Sequence, residues 1–260
     1  VSRKRARHSG ANAAGRAAPA TAAAHRQPGT REPALDALRG AAILAMVAYH
    51  FSFDLRYYGF THGDFYRDPF WLNARTLILS SFLLIAGISL ALAQRGRPSP
   101  ARFWRHVARI AACALVVSGA SYVLFPESWI WFGVLHAIAV SLVLARPLVR
   151  RPGLALAIGT AMIAAGILYT NAMFDNRALG WVGFMTAKPR TEDYVPLFPW
   201  TGLLLVGIAA GHAVAKHGLR PIAFAARWPR WMAWLGRHSL PIYMVHQPLL
   251  LGALFLVAGR

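Results

Sequence analysis

The sequence predicts an all-α fold, a polytopic transmembrane helix bundle of about seven spans with its N-terminus inside. Three observations predict it. Hydrophobic residues make up 57% of the 260 positions and the mean hydropathy is +0.41, more apolar than an ordinary soluble domain. The apolar residues gather at about 38–57, 75–94, 106–125, 129–146, 153–171, 199–215 and 238–258, most of them close to the roughly 20 residues a helix needs to cross hydrocarbon. Of the 28 Lys and Arg, 21 lie before the first span and in 95–109, 146–151 and 216–237, the alternate ends of a seven-span chain, while 7 of the 9 acidic residues lie on the other side. By the positive-inside rule the N-terminus is cytoplasmic and the C-terminus faces outside.

The same placement bears on the net charge of +19. Basic residues that flank membrane spans satisfy topology, so nucleic acid is not expected as a partner. A single cysteine, Cys113, excludes a disulfide framework and a cysteine-based metal site, and inside a span it reads as a small core residue. Residues 1–33 are rich in Ala, Arg, Pro and Gly without apolar periodicity, which predicts a disordered basic tail that meets anionic lipid head groups. No cleavable apolar core precedes residue 34, so a signal peptide is disfavoured. Residues 34–260 then form one membrane domain.

The first span, ALDALRGAAILAMVAYHFSFDLRYY at 34–58, carries the most unusual polar pattern. On a helix Arg39 and His50, eleven residues apart, return to one face about 16 Å apart, with Asp36 within about 40° of it. Ionisable residues at membrane depth are costly and mark function. Asp54, one turn beyond His50, is the nearest group to orient its imidazole, with a helix-capping or surface role equally open. The following loop, 58–74, is aromatic and holds His62, Asp64 and Asp68; it suits an interfacial aromatic belt or the rim of a binding site.

In the second span Ser80, Ser81, Gly87 and Ser89 are small residues that permit close helix approach. The link RGRPSPARFWRHVAR then sets Arg105 and Arg109 four apart on one face at the start of the third span. Topological charge accounts for them; binding of a phosphate-bearing ligand at a helix start is the sharper reading. His136 enters the fourth span about 10 Å below its outer end and reads as a satisfied core residue or a site residue. The loop 172–198 is long enough to be functional or disordered, and its Trp181, Phe184, Pro196 and Pro199 favour order against the membrane. Glu192 and Asp193 within it form an acid/base couple or, more simply, a solvated turn. Trp228, Trp231 and Trp234 beside Arg227 and Arg230 predict an amphipathic helix on the cytoplasmic surface. The last span carries Tyr243, His246 and Gln247, then Pro248 as a kink. His246 lies about 13 Å from Arg237, near the depth of His50 from Arg39, so the two histidines are expected to share a cavity. No metal motif, Walker loop or nucleophile elbow is present.

The stretch LDALRGAAILAMVAYH, together with SFLLIAGISLAL, RFWRHVARI and LGRHSLPIYMVHQPLL, resembles transmembrane acyltransferases. Taken together they resemble the bacterial relatives of heparan-alpha-glucosaminide N-acetyltransferase and, more distantly, the acyltransferase 3 family. The resemblance covers about 34–258. It implies an acyltransferase that moves an acetyl group from cytoplasmic acetyl-CoA, as co-substrate and without a metal, to an amine or hydroxyl of a glycan or related acceptor at or across the inner membrane. In the acyltransferase 3 relatives the histidine at the place of His50 is catalytic; in the heparan enzyme it is one in the first outer loop, close to the place of His62. Arg39, Arg105 and Arg109 would then hold the coenzyme A phosphates. Asp36, His136, Tyr243 and His246 remain further site candidates. The rival readings are a proton-coupled transporter with intramembrane histidines, and a sensor or scaffold in which they are structural. The oligomeric state is left open, a homo-oligomer included.

Overall fold

A computed structural model describes residues 32–96, 99–191, 193–218 and 220–259. The expected tail therefore falls, but for its last two residues, outside the described residues, as does Glu192. Among the described residues the chain is helical, with no strand and a single isolated bridge between Phe132 and Tyr194. The α-helices are α1 (Pro33–Tyr57), α2 (Pro69–Arg95), α3 (Pro100–Leu124), α4 (Val134–Ala145), α5 (Pro152–Leu168), α6 (Arg177–Gly180), α7 (Trp200–His217), α8 (Arg230–Arg237) and α9 (Ser239–Ala258).

Four of these helices open on proline in the first turn, where the missing N–H costs no hydrogen bond and the fixed φ already suits a helix. Asp68 caps α2 through the Phe70 N–H at 2.8 Å, and Ser99 caps α3. All seven expected apolar segments are helices. Among the described residues α1, α2, α3 and α9 are long and apolar enough to cross a membrane, whereas α4 and α5 have 12 and 17 residues. The expected fourth segment starts five residues late, because 129–133 is not helical and Phe132 pairs with Tyr194. The fifth stops at Leu168 rather than 171. Large apolar side chains cover the outside, Val123 at 78% and Leu256 at 81% exposure among them, as a bundle in lipid requires.

Packing rests on small residues, as expected of GAA at 40–42 and GIAAG at 207–211. Gly40 of α1 and Gly236 of α8 let the two backbones touch, since a Cβ on either would strike the other helix's carbonyls, at Met232 and Asp36. Gly87 of α2 meets α7 at Leu204, Gly207 meets Leu84, and Gly159 and Gly202 bring α5 against α7. One core joins α2, α3, α4, α5 and α7 around Leu83, Ala114, Leu142, Leu204 and Ile208. A fully buried hydroxyl pair, Ser141 and Thr201 at 2.7 Å, ties α4 to α7. Cys113 packs against this core, as expected. Arg39 bonds Ser89, and Arg95 bonds the Ala215 carbonyl, so the start of α1 and the ends of α2 and α7 lie at one end of the bundle. Arg105 and Arg109 stand at that basic end too.

The segment 220–237 forms a 3-10 helix (Arg220–Arg227) and α8. Trp228 packs with Ala34, Ala37 and Ala225, while Trp231 and Trp234 are half exposed, the two-faced arrangement expected for an interfacial helix. Among its described residues the loop between α5 and α7 is packed. Phe184 packs on Tyr169, Phe174 and Phe198, the Tyr194 hydroxyl donates to the Gly180 carbonyl at 2.6 Å, and Val195 and Leu197 are buried.

Candidate active site

His50 and His246, on the first and last spans, stand ring to ring with centroids 5.0 Å apart. The similar depths expected from counting are consistent with the Gly40 and Gly236 contact, which holds α1 and α8 together at the basic end: His50 lies about 15 Å beyond Gly40 on α1, and His246 lies on α9, which follows α8 after the turn at His238. His246 is 8% exposed and His50 half-buried.

The polar atoms around the pair have defined roles. His246 Nδ1 lies 2.7 Å from the Tyr243 carbonyl oxygen. A carbonyl only accepts, so Nδ1 carries the hydrogen and Nε2 of the neutral ring carries a lone pair. That Nε2 is buried and has no hydrogen-bond partner among the described residues. Gln247 donates its Nε2 to both carboxylate oxygens of Asp54, at 2.9 and 3.1 Å, and leaves its Oε1 buried and likewise without a partner. Asp54, 2% exposed, thus ties α1 to α9 rather than lying on a surface. Tyr243 faces His246 with ring centroids 5.6 Å apart.

The remaining candidates fall elsewhere. Arg39 is paired with Asp36 at 2.8 Å and bonds Ser89 of α2 at 2.8 Å, so its guanidinium turns towards α2 while His50 turns towards α9. Asp36 is buried. Arg105 and Arg109 are exposed on α3, and the charges of Arg109 and Arg39 both reach His106. His62 lines a separate surface pocket of about 350 Å³ with Phe53, Arg56, Tyr57, Thr61 and Tyr66. From that pocket aromatic contacts run through Phe53, Phe65 and Tyr49 to His50, with Trp71 stacked on Phe65. His136 is engaged at both nitrogens, Nδ1 accepting from the Gly133 N–H and Nε2 meeting Ser118 Oγ, each at 3.2 Å, so it holds the start of α4 on α3.

Sequence reasoning named Gln247 and Asp193 without their partners and passed over Arg75. Gln247 was visible as a polar amide beside a histidine at membrane depth, which is signal enough. Arg75 of α2 donates to the Tyr194 carbonyl at 3.2 Å, and its charge reaches His50 and Asp193. Asp193 is no solvated turn: its carboxylate accepts from the Val134 N–H at 2.7 Å at the start of α4. Burial holds that carboxyl above the usual carboxylate range, against the lowering effects of the Val134 N–H, Arg75 and Lys188. Burial also pushes the Tyr194 phenol up to about 12. Asp175, by contrast, is held low by the Thr186 hydroxyl and backbone N–H.

Among the described residues no group of three or more His, Cys, Asp or Glu is placed to hold a metal ion. No curated protein and no solved structure matches the chain. The family described as heparan-alpha-glucosaminide N-acetyltransferase, catalytic, matches residues 31–248, which includes α1, α2 and the His246 region of α9. With four described helices long and apolar enough to cross a membrane and a match over most of its length, the chain belongs to the membrane acetyltransferase family of heparan-alpha-glucosaminide N-acetyltransferase catalytic domains.

Proposed function

We propose that the protein transfers an acetyl group from acetyl-CoA, bound from the cytoplasmic side of the inner membrane, to an amine or hydroxyl of a glycan or related acceptor at or across that membrane. The observation that carries this reading is the facing pair of His50 and His246 inside the bundle, with a lone pair on His246 Nε2 that no described residue meets. His50 takes the proton as the acceptor's N–H or O–H bond breaks, and the freed electron pair forms the new bond to the acetyl carbon. The carbon–sulfur bond then breaks, and the coenzyme A thiolate leaves with the proton that His50 returns. Asp54 and Gln247 hold α1 and α9 at the separation this needs.

The donor's phosphates meet Arg105 and Arg109, both exposed at the basic end. Arg39, already paired with Asp36, contributes charge there and fixes α1 on α2. His62 is the second candidate base, and its open pocket suits acceptor entry from the opposite side.

The test is transfer of labelled acetyl from acetyl-CoA to glucosamine by the purified protein, with calorimetric binding of acetyl-CoA alongside. His50→Ala is expected to lower transfer roughly 10²- to 10⁴-fold, and Arg105→Ala with Arg109→Ala to weaken acetyl-CoA binding. Full transfer by His50→Ala, with loss in His62→Ala, would move the base to the loop. No binding of acetyl-CoA would remove the donor from the proposal.

A further inference from the structure

We propose that His246 Nε2 and Gln247 Oε1 form a socket of two hydrogen-bond acceptors that reads hydrogen-bond donors on the acceptor molecule, with Gln247 as its specificity-determining member. The inference rests on the acetyl-transfer reading of the same site. Both atoms are buried, both lack a partner among the described residues, and they belong to consecutive residues of α9. Each is forced to be an acceptor. The Tyr243 carbonyl takes the hydrogen of His246 Nδ1, which leaves Nε2 with its lone pair. The Asp54 carboxylate takes both contacts from the Gln247 NH₂, so the amide cannot turn its donor inward without losing them.

A buried acceptor left unpaired is costly, so the site favours a ligand that brings N–H or O–H groups to both atoms. Such donors exist on the acceptor and on the amides of the pantetheine arm of coenzyme A. Geometry points to the acceptor. The group that surrenders its proton to His50 sits within hydrogen-bond reach of that ring, and the His246 ring is 5.0 Å away, so the attacking molecule is the one against the socket. Gln247 therefore selects acceptors by a donor placed beside the reacting group, and Asp54 acts on selection through Gln247.

The probes are glucosamine and its monodeoxy analogues, each lacking one O–H, with wild type, Gln247→Met and Asp54→Asn. In Asp54→Asn the new side-chain amide can donate to Gln247 Oε1 and let the glutamine turn its NH₂ inward. For wild type, removal of the hydroxyl that meets Gln247 should raise KM about tenfold to a hundredfold. In Gln247→Met the KM for glucosamine should rise by the same factor and the discrimination against that analogue should vanish, with the acetyl-CoA Kd unchanged. Asp54→Asn should show the same loss of discrimination, which covers the case in which the methionine variant does not fold. Discrimination identical in variants and wild type overturns the socket and leaves acetyl transfer standing, as does an effect confined to the acetyl-CoA Kd.

Should wild type transfer nothing to glucosamine, the transfer reading falls and binding decides the socket. The ¹⁵N resonance of His246 Nε2, assigned with His246→Ala, should then shift on adding glucosamine to wild type and not to Gln247→Met. No shift in wild type means that water alone fills the socket, and overturns it.

Discussion

His136 and His246 are both histidines on apolar helices, and their rings are used in opposite ways. His136 gives one nitrogen to the Gly133 N–H and the other to Ser118, so its loss breaks the start of α4. His246 keeps Nε2 buried beside His50, with no hydrogen-bond partner among the described residues. We therefore expect His136→Ala to cost about 1–3 kcal/mol of stability, the price of leaving a buried donor and acceptor unpaired, and His50→Ala to lose activity with little change in Tm; thermal unfolding in detergent checks both. Asp193 supplies a pH dependence. Its folded pKa is raised by burial, so the native state binds the proton more tightly than the unfolded chain does. Its contribution is fully present below the ordinary carboxylate value of about 4 and is lost as pH rises through the raised value. Asp193→Asn keeps a carbonyl oxygen for the Val134 N–H without the charge. The Tm of the variant, followed from acid to neutral pH, should lack this part of the wild-type decline.

At the scale of elements, the helices are held by backbone contact at glycine rather than by apolar burial, because lipid is as apolar as the core and offers no hydrophobic gain for helix association. A methyl group at Gly40 or Gly236 has no room. Gly236→Ala should destabilise by roughly 1–3 kcal/mol and also lower activity, since this contact holds α1 to α8, which leads into α9 and His246. Gly119→Ala on α3, where an added methyl would meet no described atom beyond its own turn of helix within 4 Å, is the control and should be neutral or slightly stabilising in the same unfolding measurement. The apolar segments and the small-residue motifs were legible in the sequence, since hydropathy and spacing are local properties. The start of α4 was not. WIWFG is as apolar as a helix, and its non-helical path follows from pairing Phe132 with Tyr194, 62 residues later.

For the whole molecule, orientation remains a matter of charge. The arginines of the basic end predict that this end is cytoplasmic. In a Cys113→Ser background, Thr61→Cys should react with a membrane-impermeant maleimide added outside intact cells, and Arg105→Cys only after the membrane is opened; the reverse pattern would invert the topology. The match over residues 31–248 accords with the resemblance read from LDALRGAAILAMVAYH and LGRHSLPIYMVHQPLL. By itself the sequence determined the helical class and the apolar segments, which follow from hydropathy, and pointed to the shared depth of His50 and His246 through the 1.5 Å rise per residue; the family was legible only through the resemblance of those motif stretches. Only the tertiary structure decided which polar atoms meet. It put Gln247 on Asp54, turned Arg39 to Asp36 and Ser89, engaged both nitrogens of His136 and left His246 Nε2 without a partner among the described residues. Hydrogen bonds reach only about 3 Å, and which side chains come that close is fixed by how the helices pack, not by their order in the chain.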